Sequence, residues 1–108
     1  MSTIEKDRDV MTLVNVFAVK PEDQSQLVTL LVEATEKTMK DLPGFVSANI
    51  HRSFDGTKVI NYAQWRSHAD FDAMRQNPAA AQHLKAASAL AKAEPIACEV
   101  VEAINGGT

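Results

Sequence analysis

A chain of 108 residues, 45% of them hydrophobic, makes one domain with a real core but little room to enclose a large ligand alone. Its formal charge of −3, from 11 basic and 14 acidic residues with no basic block, argues against a nucleic-acid or anionic-membrane surface. No apolar run approaches the roughly 20 residues that span a bilayer.

The opening MSTIEKDRDV has no apolar signal core. The single cysteine, Cys98, excludes an internal disulfide framework and fits a reducing cytoplasm. Residues 1–9 are polar and charged and read as a flexible arm before a single domain over 10–104; 105–108 read as a flexible tail.

Met11 to Val19, MTLVNVFAV, is apolar on both alternating faces, as in a strand covered on both sides. Pro21-Glu22-Asp23 then opens a helix, with proline in the first turn and acids suited to the helix dipole. Leu27, Leu30, Leu31 and Ala34 continue it at i, i+3, i+4, i+7 to an end near Leu42, where Pro43-Gly44 stops it. Phe45–Ser53 and Thr57–Arg66 read as two strands around an Asp55-Gly56 hairpin signal. Ser67 can cap a helix over Ala69–Gln76; Asn77-Pro78 interrupts it, and Ala79–Ala91 resumes a helical pattern. Ile96–Ile104 reads as the last strand.

Strand, helix, strand, strand, helix, strand is the split βαβ order of a ferredoxin-like α+β domain, with both helices on one face of an antiparallel sheet. The other face, with Val14, Val16, Val46, Ile50, Ile60 and Tyr62, is too apolar to leave in water. A second copy packed face to face covers it, so the expected assembly is a homodimer.

Within DGTKVINYAQW, Val59, Asn61, Ala63 and Trp65 share one strand face. An amide there without a partner costs about 1–3 kcal/mol, so either the fold or a ligand satisfies Asn61. Asn15 likewise stands among Met11, Leu13 and Phe17, and Trp65 offers a flat wall and an indole N–H. His51, His68 and His83 are scattered, Cys98 has no cysteine partner, and the four glycines form no phosphate-binding loop. An enzyme of this kind has no recognisable metal or organic cofactor site, so its substrate must supply the electrons.

SANIHRSFDGTKVINYAQW (Ser47 to Trp65) resembles the central hairpin of antibiotic biosynthesis monooxygenase domains. It is most similar to the small cofactor-free oxygenases that convert anthrone-type polyketides to quinones. The first strand, TLVNVFAV, is similar too, with Asn15 in place, and the likeness spans roughly 10–104. It implies a dimeric α+β barrel, a small aromatic substrate, dioxygen as co-substrate, no cofactor, and Asn15, Asn61 and Trp65 as site residues. In that chemistry a phenol or anthrone loses a proton, and the enolate reacts with dioxygen.

The resemblance also offers His51 as the base, a residue type with an ordinary pKa of about 6.5. Strand parity stands against it. If Asp55-Gly56 is a two-residue turn, Phe54 pairs with Thr57, and His51 falls opposite Ile60 on the face away from Asn61; an odd loop reverses this.

Phe71 stands where one branch of the family has an aromatic hydroxyl, and Lys85, after a one-residue gap, near a family arginine. His83 lies in helical spacing with Ala80, Leu84 and Ala87. The expected pocket lies between sheet and helices, lined by Asn15, Asn61, Trp65, Phe17, Phe71 and Met74, with His83 and Lys85 as further substrate contacts. Two alternatives share the fold. One is a haem-degrading oxygenase with His83 near the iron-ligand position, though Met74 lies where such relatives carry a tryptophan. The other is a non-catalytic dimeric module that binds aromatic ligands.

Overall fold

The computed structural model describes residues 2–107. Strand β1 (Met11–Val19) leads through a 3₁₀ turn (Pro21–Asp23) into α1 (Gln24–Lys37). The Gln24 amide donates to the carbonyls of Ser53 and Lys58, at 3.1 and 3.0 Å, tying the start of α1 to the neck of the following hairpin. The helix ends at Lys37 rather than near Leu42; a separate 3₁₀ turn, Met39–Asp41, follows. Gly44 has φ +83°, and a Cβ there would sit 2.3 Å from the Asp70 carboxyl carbon, so only glycine fits this turn.

Strands β2 (Phe45–Arg52) and β3 (Lys58–Trp65) form the hairpin, with a bulge at Val46. Ser53 N–H donates to the Lys58 carbonyl, so the loop is the four residues Phe54–Thr57 rather than a two-residue turn. Asp55 accepts from the Thr57 N–H and from the Ser53 and Thr57 hydroxyls, and these bonds lower its pKa from 3.8 to about 2. Each favours the charged carboxylate.

Ser67 Oγ accepts from Asp70 N–H to cap α2 (His68–Gln76). Asn77 Oδ1 accepts from Ala79 and Ala80 N–H to cap α3 (Pro78–Leu90), whose proline costs no hydrogen bond in the first turn. The last strand, β4, is Ala91–Cys98 and not Ile96–Ile104. It leaves α3 without a loop, because its pairing with β1 sets Ala91 opposite Val19 and Cys98 opposite Thr12. Pro95 is tolerated because β4 is an edge strand. Among the described residues no helix is long and apolar enough to cross a membrane.

The sheet order is β2-β3-β1-β4, antiparallel throughout, with the helices on one face: the ferredoxin-like α+β architecture. One core cluster joins Leu13, Ala63 and Trp65 to Met39, Phe71, Met74 and Ala80. A second joins Phe17, Val19 and Val59 to Leu27, Leu31 and Ala87, with Ile50 packed against it. Ile50 therefore belongs to the helix-covered face, as its pairing with Asn61 requires, and not to the outer one.

The outer face carries Val14, Val16, Ile60 and Tyr62, all half-buried, and Ile96, 43% exposed. One end of it is polar. Ser47 Oγ donates to Gln64 Oε1 (2.6 Å), Gln64 Nε2 to the Thr3 carbonyl (2.7 Å), and Ser2 Oγ to Asn49 Oδ1 (2.9 Å), so the N-terminal arm lies against that end.

Candidate active site

Between the two core clusters lies one row of the sheet, Ile50–Asn61–Asn15–Pro95, running across all four strands. Asn15 and Asn61 are direct cross-strand partners on the two central strands. The neighbouring rows carry small side chains, Ala48, Ala63 and Ala93, so the sheet cannot fill the space beneath the helices. The result is a cavity of about 220 Å³, partly open to solvent. Its floor holds the two amides; its walls include Phe17, Trp65, Phe71 and Met74, and its roof His83, Leu84 and residues of α1.

Both amide oxygens, Asn15 Oδ1 and Asn61 Oδ1, are buried and have no hydrogen-bond partner. An orphaned buried acceptor costs about 1–3 kcal/mol, and nearly all such groups in native proteins find a partner. Of the three such orphaned side-chain atoms among the described residues, these two stand side by side at the cavity floor; the third, Thr12 Oγ1, lies outside the cavity lining. Two other polar side chains of the lining are already engaged: Thr35 Oγ1 donates to the Leu31 carbonyl and Ser88 Oγ to the Leu84 carbonyl, each within its own helix.

Trp65, 2% exposed, is held edge-on by Phe45 (centroids 5.4 Å, planes at 90°) and by Phe71 (6.3 Å, 61°). The Arg75 guanidinium sits 5.7 Å from the Phe71 ring centroid at the cavity's edge, a cation–π contact. His83 reaches the cavity from α3, with Nε2 3.0 Å from Thr38 Oγ1 just past the end of α1. No group of three or more His, Cys, Asp or Glu among the described residues could hold a metal ion.

Of the residues expected at the site, Asn15, Asn61, Trp65, Phe17, Phe71, Met74 and His83 all line this cavity. His51 does not. It pairs with Ile60, is exposed, and lies on the sheet face away from the helices, because the four-residue loop keeps the parity of a two-residue turn. Lys85 is exposed on α3 and stands outside the lining. Arg75 was missed, although its position four residues after Phe71 puts both on one helix side. Thr38 and the alanine floor carry no signal in the sequence: their roles appear only once α1, α3 and β4 are in place.

Fold and site together define a small-molecule enzyme domain: a ferredoxin-like sheet under helices, with apolar walls around a pair of free amides. The chain belongs to the antibiotic biosynthesis monooxygenase family, whose model matches residues 10–86. It is 48% identical over 105 residues to the tetracenomycin-F1 monooxygenase of Streptomyces glaucescens, covering 97% of this chain and 94% of that one. These likenesses make it an oxidoreductase of the monooxygenase class.

Among solved structures, the monooxygenase from the gene ActVA-Orf6 of Streptomyces coelicolor, in complex with nanaomycin D, is 31% identical. It superposes with a TM-score of 0.78, over 90% of this chain and 92% of that one. SnoaB, a cofactor-independent oxygenase from Streptomyces nogalater, shares the fold at 22% identity with a TM-score of 0.78, over 92% of this chain and all of that one.

Proposed function

We propose that this chain is a cofactor-independent monooxygenase that oxidises a polycyclic phenol, anthrone or quinol to a quinone with dioxygen. The observation that carries the reading is the pair of unpartnered amides, Asn15 and Asn61, on the floor of an otherwise apolar cavity. The high identity to an enzyme named for tetracenomycin F1 and the nanaomycin D complex of a relative support an aromatic polyketide as the substrate class.

The chemistry is that implied by the resemblance to the anthrone-oxidising members of the family. The substrate gives up a proton and becomes an electron-rich enolate, which passes electrons to dioxygen. The peroxide formed then collapses, so that a CH₂ and O₂ become C=O and H₂O, with no further reductant. Each amide offers an NH₂ to developing oxyanions and a carbonyl to a substrate hydroxyl. Trp65, Phe71, Phe17 and Met74 hold the flat ring system and exclude water. The enzyme works in the cytoplasm as a homodimer, with Val14, Val16, Ile60, Tyr62 and Ile96 covered by the second copy.

Oxygen uptake by the purified protein with dithranol, an accessible anthrone, tests the reading with no cofactor added. The expected result is enzyme-dependent uptake, lost in Asn61→Ala while circular dichroism stays native. Uptake no faster than autoxidation across several anthrones and quinols refutes it. The haem reading is disfavoured by Met74, which stands where such relatives carry a tryptophan; a Soret band on haem addition would restore it.

A further inference from the structure

The proposed reaction begins with loss of a substrate proton, and the amides and indole of the cavity are not bases at neutral pH. His51 lies on the wrong face of the sheet. Only two side chains in the cavity lining are titratable, His83 and Arg75, and an arginine does not give up its proton. Resting on the oxygenase reading, we propose that His83, oriented by Thr38, is the base that takes the substrate's proton.

The surroundings suit the task. Thr38 is the residue at which α1 stops: its N–H bonds the Ala34 carbonyl while φ −131° and ψ −60° take the chain out of the helix. The end of α1 thereby presents a hydroxyl to the ring on α3, 3.0 Å from Nε2. A hydroxyl accepts from Nε2–H in the neutral ring and in the imidazolium alike, so one contact serves both states. In the neutral tautomer that the proposal requires, with the proton on Nε2, Nδ1 carries the lone pair, and no described group bonds that atom.

No carboxylate lines the cavity. From α2 the charged neighbour is Arg75; from α1 the lining gives Thr35, while Glu33 and Lys37 pair with each other on the exposed side. From α3 itself Lys85 is exposed and outside the lining, and β1, β3 and β4 contribute only uncharged residues. The imidazolium formed on proton transfer therefore has the substrate enolate as its counter-charge.

The step balances. A substrate C–H or O–H bond breaks, an N–H bond forms at Nδ1, and the electron pair stays on the substrate as the enolate. After the enolate has reduced dioxygen to the bound peroxide, the same proton returns to the peroxide. His83 is then free to take the second C–H proton as the O–O bond breaks, and hydroxide leaves with that proton as water.

Anaerobic titration with dithranol isolates the proton transfer, because the anthrolate anion absorbs visible light and the neutral anthrone does not. Bound dithranol in the wild-type protein should turn to anthrolate at a lower pH than free dithranol does. In His83→Gln it should follow the pH dependence of free dithranol. Under air, His83→Gln should lose about 100-fold in kcat, the scale of general-base catalysis, with KM within about threefold. Thr38→Val should show a smaller kcat loss with a displaced pH profile, and imidazole should restore part of the activity of His83→Ala.

The proposal is overturned if dithranol with the wild-type protein forms anthrolate at no lower pH than free dithranol, or if His83→Gln keeps the wild-type spectrum and pH profile. If anthrolate forms but no oxygen is consumed, the base stands and the oxygenase reading falls. If His83→Gln does not fold, Thr38→Val and the wild-type titration decide alone.

Discussion

The orphaned amides should cost the protein stability, and removing one should return it. In Asn61→Leu an unpartnered buried acceptor is replaced by an apolar group of similar size. The loss of such a group is worth about 1–3 kcal/mol, and the lower end applies because Asn61 is only half-buried. Leucine also joins a surface already apolar on both sides, between the Leu13/Ala63 and Phe17/Val59 rows. A gain of about 1 kcal/mol corresponds to a rise of roughly 4–8 °C in Tm for a domain near 100 residues. Thermal unfolding by circular dichroism, alongside oxygen uptake with dithranol, reads both effects: Tm should rise while turnover collapses. A fall in Tm would mean that the amide is satisfied in the native state, and that its bonding is structural rather than held open for a ligand. Wild-type turnover in the stabilised variant would remove Asn61 from the reaction.

Gly44→Ala combines a positive φ with a Cβ placed against the Asp70 side chain; urea unfolding should show a loss of about 1–3 kcal/mol. Asp55 has its folded pKa depressed from 3.8 to about 2, so its contribution is present above about pH 4 and fades as pH falls toward 2. Asp55→Asn should flatten the acid limb of the stability–pH curve over that window, measured by thermal unfolding. Ile60→Lys places a charge at the centre of the outer face; sedimentation should show the wild-type chain as the proposed dimer and the variant as monomer, and a dimeric variant would place the interface elsewhere.

How much of this was legible depended on whether the information was local. Strand β1 matches its sequence bounds because Met11–Val19 is apolar except at Thr12 and Asn15, and Pro21 ends it. The break at Asn77-Pro78 was legible for the same kind of reason: a capping side chain beside a residue without an N–H. Parity was robust as well, since the observed loop is two residues longer than a tight turn, and a change of two leaves every side chain on its face. The site row could thus be read from Asn61 and Asn15 alone.

Strand β4 could not. Ala91–Cys98 contains three alanines, a lysine, a glutamate and a proline, with little strand propensity, and it is a strand only because β1 offers an edge to pair with. The apolar Val100, Val101 and Ile104 drew the expected strand downstream. Thr38 was hidden for a related reason: its contact with His83 requires α1 to stop a turn earlier than its hydrophobic period indicates.

The two amides pose one further physical question. They are cross-strand partners on one face, a geometry that brings paired Cβ atoms to about 4.5–5.5 Å. At that separation one asparagine can donate its NH₂ to the other's carbonyl and relieve one of the two orphaned oxygens. They do not: neither oxygen has a partner. Local satisfaction is thus forgone where it was available, although the hairpin loop and the caps of α2 and α3 are bonded. Departures from local consistency of this kind concentrate at functional sites. A substrate oxygen seated above the row would meet two amides that need not first break a bond to each other, so binding would gain their hydrogen bonds without a compensating loss.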